Sequence, residues 1–161
     1  MAIAGHSVPS PHRPPSGLLR WLLRAPIPVY RAGLGWLFGH RLLMLTHTGR
    51  RTHEQRRTVV EVVTYDARTH ESIVAAGWGT ATQWYRNIQV STATEIHTGG
   101  EHYRPVQRFL GEEEAREVLE GYLAAHRFAA RFVLRWLGYE WSAAGREEFL
   151  RTVRLVGFRP R

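Results

Sequence analysis

Four arginines, Arg50, Arg51, Arg56 and Arg57, stand within eight residues in the stretch "THTGRRTHEQRRT" (46–58), between two apolar runs. A guanidinium is planar and donates two parallel hydrogen bonds, which suits the paired oxygens of phosphates and carboxylates. Thr48 and Thr58 add short hydroxyl donors, and Gly49 permits the chain to curl its backbone N–H groups toward one ligand. Together these residues form a cradle for a polyanion. A solvated turn whose arginines serve only solubility would use the same residue types, so composition leaves both readings open. The GK[ST] ending of a P-loop and the GxGxxG of a dinucleotide site are both absent.

The second chemically suggestive stretch is "AAGWGTATQWYRNI" (75–88). Small residues at a strand end, Ala75, Ala76, Gly77 and Gly79, let a flat ligand approach the backbone. Trp78 and Trp84 offer broad faces, and Trp84, Asn87 and Ile88 can share one face of a following helix that also carries Gln83. An aromatic ring system docked here, its anionic tail reaching the arginine turn, would use both stretches. The alternative is that Trp84 and Ile88 are core anchors and Gly77–Gly79 a tight turn. Histidines occur without HxxxH or HExxH spacing and no cysteine accompanies them, so no metal site is expected.

The elements that would position these residues follow from pattern. Residues 1–15 are rich in Pro and Ser and read as a disordered tail. "GLLRWLLR" (17–24) and "VYRAGLGWLFGH" (29–40) read as short amphipathic helices placed between residues 16 and 39. Strands are expected at 41–47, 57–66, 71–77, 92–98, 101–110 and 152–158, with a helix within 78–90 and a long helical stretch over 111–139. Hairpin-like neighbours make the sheet mainly antiparallel. The fold class is therefore α+β, a single domain over 16–161 whose small barrel disposes of its edges.

The chain has 161 residues, 43% of them apolar, and no cysteine. That is enough for a hydrophobic core and excludes a disulfide scaffold. Residues 1–60 hold nine arginines against one acid, Glu54, whereas residues 61–161 are electrically balanced. A localised positive field attracts phosphates, carboxylates, nucleic acid or an acidic bilayer. The strands lack the aromatic motif of an RNA-recognition sheet, so specific nucleic-acid binding is not the favoured reading. The basic, leucine-rich segment 16–31 suits peripheral contact with an anionic membrane, the alternative being a helix packed across the barrel.

Taken in order, "LTHTGRRTHEQRRT" and "VAAGWGTATQWYRNI" resemble the deazaflavin-dependent nitroreductase family, whose members carry T-G-R-[KR]-[ST]-G-x-x-R, a small-residue strand end and W-Y-x-N-L. The likeness runs from about Ile27 to Leu110. It implies a split β-barrel, flavin-reductase-like, that binds coenzyme F420, the deazaflavin of actinobacterial and archaeal metabolism. It also implies hydride transfer between F420 and an electron-poor small molecule such as a nitro compound, quinone or enone. Arg50, Arg51 and Arg56 match positions that hold the phosphate and oligoglutamate tail; Ala75, Gly77 and Gly79 match the turn beside the ring; Trp84 and Asn87 match the ring pocket. His53 departs from the family's glycine, and Trp78 stands where relatives have a small or basic residue. In place of the relatives' tyrosine-rich C-terminal helix the chain offers His126, Phe128, Phe132 and Tyr139. Proton-donor candidates are His126, Tyr139 and Tyr122, each also explicable as a packing residue. The alternative cofactor is flavin mononucleotide, which needs one phosphate site and no charged tail. A cytoplasmic location is expected, with attachment to the inner face of the cell membrane left open, as is a homodimer.

Overall fold

The computed structural model describes residues 27–28, 32 and 34–161. The predicted tail and the helix at 17–24 lie outside the described residues, and of the second short helix a 3-10 turn at Gly35–Phe38 is described. Seven strands follow: β1 (Leu42–Thr48), β2 (Gln55–Asp66), β3 (Glu71–Ala76), β4 (Glu95–Thr98), β5 (Glu101–Tyr103), β6 (Pro105–Phe109) and β7 (Arg154–Pro160). Every paired neighbour is antiparallel, in the order β5-β4-β1-β2-β3-β7-β6. The two edge strands, β5 and β6, are separated in the chain only by Arg104, so the sheet curls into a nearly closed barrel. The mainly antiparallel split barrel with flanking helices is thus the observed fold. Four α-helices with bounds among the described residues accompany it: α1 (Gln83–Val90), α2 (Glu112–Ala125), α3 (Arg127–Leu137) and α4 (Ala143–Thr152).

Strand alternation sorts the core into two layers. Leu43 and Leu45 of β1, Val74 and Ala76 of β3, Ile96 of β4, and Val156 and Phe158 of β7 fill the barrel with Trp84, Tyr85 and Ile88 of α1. Their neighbours Ile73, Ala75, Val153 and Leu155 face outward, beneath Leu119 and Leu123 of α2, Leu134 and Leu137 of α3, and Phe149 of α4. β1 is buried along its middle five residues, which explains its unbroken apolar run.

Three expectations are corrected. The single strand over 101–110 is two, because the chain turns at Arg104 and Pro105 has no N–H to continue a ladder. The helix over 111–139 breaks at His126, whose ψ of 43° closes α2 and opens α3. The segment after Tyr139, to which the sequence assigned no element, forms α4, capped by Ser142 Oγ accepting from Gly145 N at 3.0 Å.

Candidate functional site

The arginine turn joins β1 to β2 in register, His47 opposite Arg56 and Thr48 opposite Gln55. Gly49 N donates to Glu54 O and His53 N to Gly49 O, each at 2.8 Å, so these two backbone donors are spent inside the turn. The expectation that they would face a ligand is corrected accordingly. His53 has φ 56°, the left-handed conformation that glycine adopts most easily. The turn therefore has the shape that a glycine there would give, with histidine bearing the strain.

Arg50 is fixed by α1. Its backbone N–H donates to Asn87 Oδ1 at 3.2 Å, and its guanidinium donates to Asn87 Oδ1 at 3.0 Å and to Gln83 Oε1 at 3.1 Å. Gln83 and Asn87 are one helical turn apart, so they present both amides to one arginine. The Asn87 amide is oriented by this contact: Oδ1 accepts from Arg50, which leaves Nδ2 to donate to His47 Nδ1 at 3.1 Å. His47 Nε2 consequently carries the proton and donates to Thr58 Oγ1 at 3.2 Å. Burial, helped by the Arg56 charge, lowers His47 to about 4, so the ring is neutral at pH 7 and the relay of donors is stable. Arg51, Arg56 and Arg57 are exposed; Arg56 makes only a 3.3 Å contact with Thr52 Oγ1 and a loose 3.7 Å pair with Glu54.

A cavity of about 610 Å³ opens beside this cluster. Arg50, Arg51, Arg56, Arg57 and Thr58 line one part; Ala75, Gly77, Trp78, Gln83, Trp84 and Asn87 line another. The two stretches singled out in the sequence therefore meet around one space. Thr48, Ala76 and Gly79 do not line it. Ala76 is barrel core, and Gly79 (φ 53°) packs against α4, where a Cβ would stand 2.2 Å from the Thr152 carbonyl oxygen. Gly77 makes room for Leu137 of α3, whose Cδ2 would lie 2.8 Å from an added Cβ. Trp84 serves both purposes that its sequence allowed, anchoring the barrel core and walling the cavity.

Of the three proton-donor candidates, Tyr122 alone lines the cavity. Its hydroxyl donates to Glu61 Oε1 at 3.2 Å; burial and that carboxylate push its pKa up to about 12. Tyr139 is buried beside Phe149 and donates to the Gly77 carbonyl at 3.3 Å, which ties the strand-end loop to the helical layer. His126 is exposed at the α2–α3 break.

Several lining residues escaped the sequence reading: His47, Val59, Glu61, Val63, Thr82, Leu119 and Trp136 among them. A signal existed for some. Arg57, Val59, Glu61 and Val63 alternate along β2, and a lone glutamate in an apolar strand marks a face that is not ordinary core. Thr82 stands at the N-cap of α1 without capping it, and its buried Oγ1 has no hydrogen-bond partner among the described residues. The helical wall gave no such signal, since Leu119, Val133, Trp136 and Leu137 read simply as helix core.

The family model described as F420H(2)-dependent quinone reductase matches residues 28–147. Curated protein sequences give no significant match. Among solved structures, one described as an F420-H2 dependent reductase (FDR-A) superposes with a TM-score of 0.51 at 15% identity, covering 75% of this chain and 96% of its own. Another, described as a domain-swapped dimer, gives 0.54 at 13% identity, covering 89% of this chain and 100% of its own. At these identities the structures establish the shared barrel, while the family model covers most of the chain. The chain thus belongs to the F420H2-dependent quinone reductase family and is an oxidoreductase that uses the deazaflavin coenzyme F420.

Proposed function

We propose that the cavity beside the arginine turn is where F420 and its substrate meet, and that the hydride acceptor is a quinone or a comparably electron-poor enone or nitro compound. The observation that carries this reading is the cavity's polarity. It runs from a cluster of guanidinium groups to a mainly apolar wall of Val59, Val63, Leu119, Val133 and Leu137, interrupted by Glu61 and Tyr122, the division that an anionic tail and a flat ring require. When bound, F420 supplies the hydride chemistry. The orphaned Thr82 hydroxyl and the three exposed arginines are donors still open to a ligand, so the residues fit such a group.

Each lining residue then has a task. Arg51, Arg56 and Arg57 hold phosphate and carboxylate oxygens. Arg50, locked by Gln83 and Asn87, sets the position of the turn against α1. Ala75 and Gly77 admit a flat ring, with Trp78 and Trp84 beside it. Val59, Val63, Leu119 and Val133 exclude water from the reacting face. Tyr122 keeps its proton at neutral pH and delivers it to the substrate oxygen, with the exposed Glu61 carboxylate linking it to solvent.

Titrating the protein with F420 and with flavin mononucleotide, following tryptophan quenching, tests the site. F420 should bind, and Arg51→Ala with Arg56→Ala should weaken it. Tight flavin binding without an F420 response would reject the assignment. Tyr122→Phe should lower kcat with a soluble naphthoquinone by about ten-fold or more while leaving F420 affinity unchanged. The related barrel described as a domain-swapped dimer supports a homodimer here too, which light scattering would show as twice the 18.5 kDa chain mass.

A further inference from the structure

We propose that the outer face of α3 docks on the surface of an anionic lipid bilayer. Phe128 and Phe132 are 95% and 72% exposed, and Trp136, at the same spacing of four, is 36% exposed. One row along the helix is therefore aromatic and open to water. Arg127, Arg131 and Arg135 form the adjoining row, all exposed. No acid lies within α3, and none of these three arginines is ion-paired among the described residues. Large aromatic side chains in water carry an unfavourable free energy that a monomeric surface does not normally retain in a row.

The pairing of rows selects the occupant. An aromatic row that enters the acyl boundary, beside guanidinium groups that meet headgroup phosphates, is what an interfacial helix needs. A second copy packed on the same face would bring arginine rows of one sign together. The segment 16–31 carries Arg20, Arg24 and Arg31 without an acid, and would repel this face equally. An acidic protein would satisfy the arginines but leave the phenylalanine row unexplained. A lipid surface answers both.

The opposite side of the same helix gives the docking a consequence. Val133 and Leu137 wall the cavity, and Trp136, at the margin between the two faces, leans inward onto Trp78 at 5.6 Å between ring centroids, so Phe128 and Phe132 are the residues of the row that point outward alone. A docked α3 sets the cavity within one helix diameter, roughly 10 Å, of the lipid. An apolar substrate dissolved in the bilayer would then have a short path to the site.

The chain contains no cysteine, so Phe132→Cys creates a single attachment point for an environment-sensitive fluorophore on the full-length protein. With vesicles of phosphatidylglycerol and phosphatidylcholine the emission should shift to the blue and be quenched by spin-labelled lipid; with phosphatidylcholine alone it should not. Phe128→Ser with Phe132→Ser should lower the vesicle partition constant by about a hundred-fold, since each ring withdrawn from water is worth roughly ten-fold. The readout requires neither F420 nor a substrate, so it stands apart from the reading of the cavity. Vesicle binding with the label still in water would place the contact elsewhere and overturn the proposal. A label buried without lipid, in step with protein concentration, would overturn it in favour of a second copy. A chain that ignores anionic vesicles would overturn it outright.

Discussion

Asn87 links two regions that are forty residues apart in the chain. Its carbonyl accepts from Arg50 twice and its amide donates to His47, so one side chain aligns the arginine turn with α1. Asn87→Ala removes the acceptor shared by the Arg50 backbone N–H and guanidinium, leaving Gln83 as the remaining tie to α1. F420 binding should weaken by roughly ten-fold or more as the turn loosens, measured by quenching, with thermal stability falling modestly. The same relay depends on a neutral His47. Its folded pKa of about 4 lies below the ordinary 6.5, so as pH falls the unfolded chain takes up the proton first. Stability should be intact above pH 6.5, decline between 6.5 and 4 by at most about 1.4 kcal/mol per pH unit, and level off below. Denaturation midpoints across that range, compared with His47→Gln, would show the decline only in the parent; a flat difference would refute the assignment.

At the scale of elements, the loop from β3 to α1 has two jobs that its glycines divide. Gly77 borders the cavity and accommodates Leu137, whereas Gly79 takes a left-handed φ and lets α4 close on the loop. Gly79→Ala adds a Cβ against the Thr152 backbone, which cannot give way as a side-chain tip can. We expect a loss of several kcal/mol, on the order of 3, seen as a lower melting temperature without cofactor. In the sequence the two glycines look equivalent, two residues apart in a small-residue turn. Their separation came from α4, an element the sequence reading had not assigned. The strands were legible because β-branched runs and alternation are local signals, and α2 because three glutamates open it. The break at His126 was not, since neither glycine nor proline stands there and packing alone decides it.

For the whole molecule, the formal charge of +8 is carried by residues 1–60, and four of the nine arginines there stand in the arginine turn. An anionic coenzyme is drawn to that end, and the attraction between exposed charges is screened by salt. Raising sodium chloride from about 0.05 to about 0.5 M should weaken F420 binding by roughly ten-fold. A coenzyme lacking the glutamate tail should lose much of that dependence, and titration at both salts with both forms would measure it. Equal salt slopes for the two forms would show that the tail does not reach the cluster. No helix among the described residues is long and apolar enough to cross a membrane.

The sequence by itself determined the antiparallel strands, the basic turn and the Trp-x-x-Asn helix, because each rests on residues close together in the chain, and the coenzyme class followed from the family resemblance that two of these stretches carry in order. Only the tertiary structure decided which side of each element faces the cavity. That choice made Tyr122 a lining residue and placed His126 and Tyr139 outside, and it turned the row Arg57, Val59, Glu61 and Val63 into a floor. The physical reason is that α2 and α3 cover the outer face of strands that lie elsewhere in the chain, β2 and β3 before them and β7 after them. The direction of a side chain relative to such a partner is set by packing between segments, for which no local pattern carries the information.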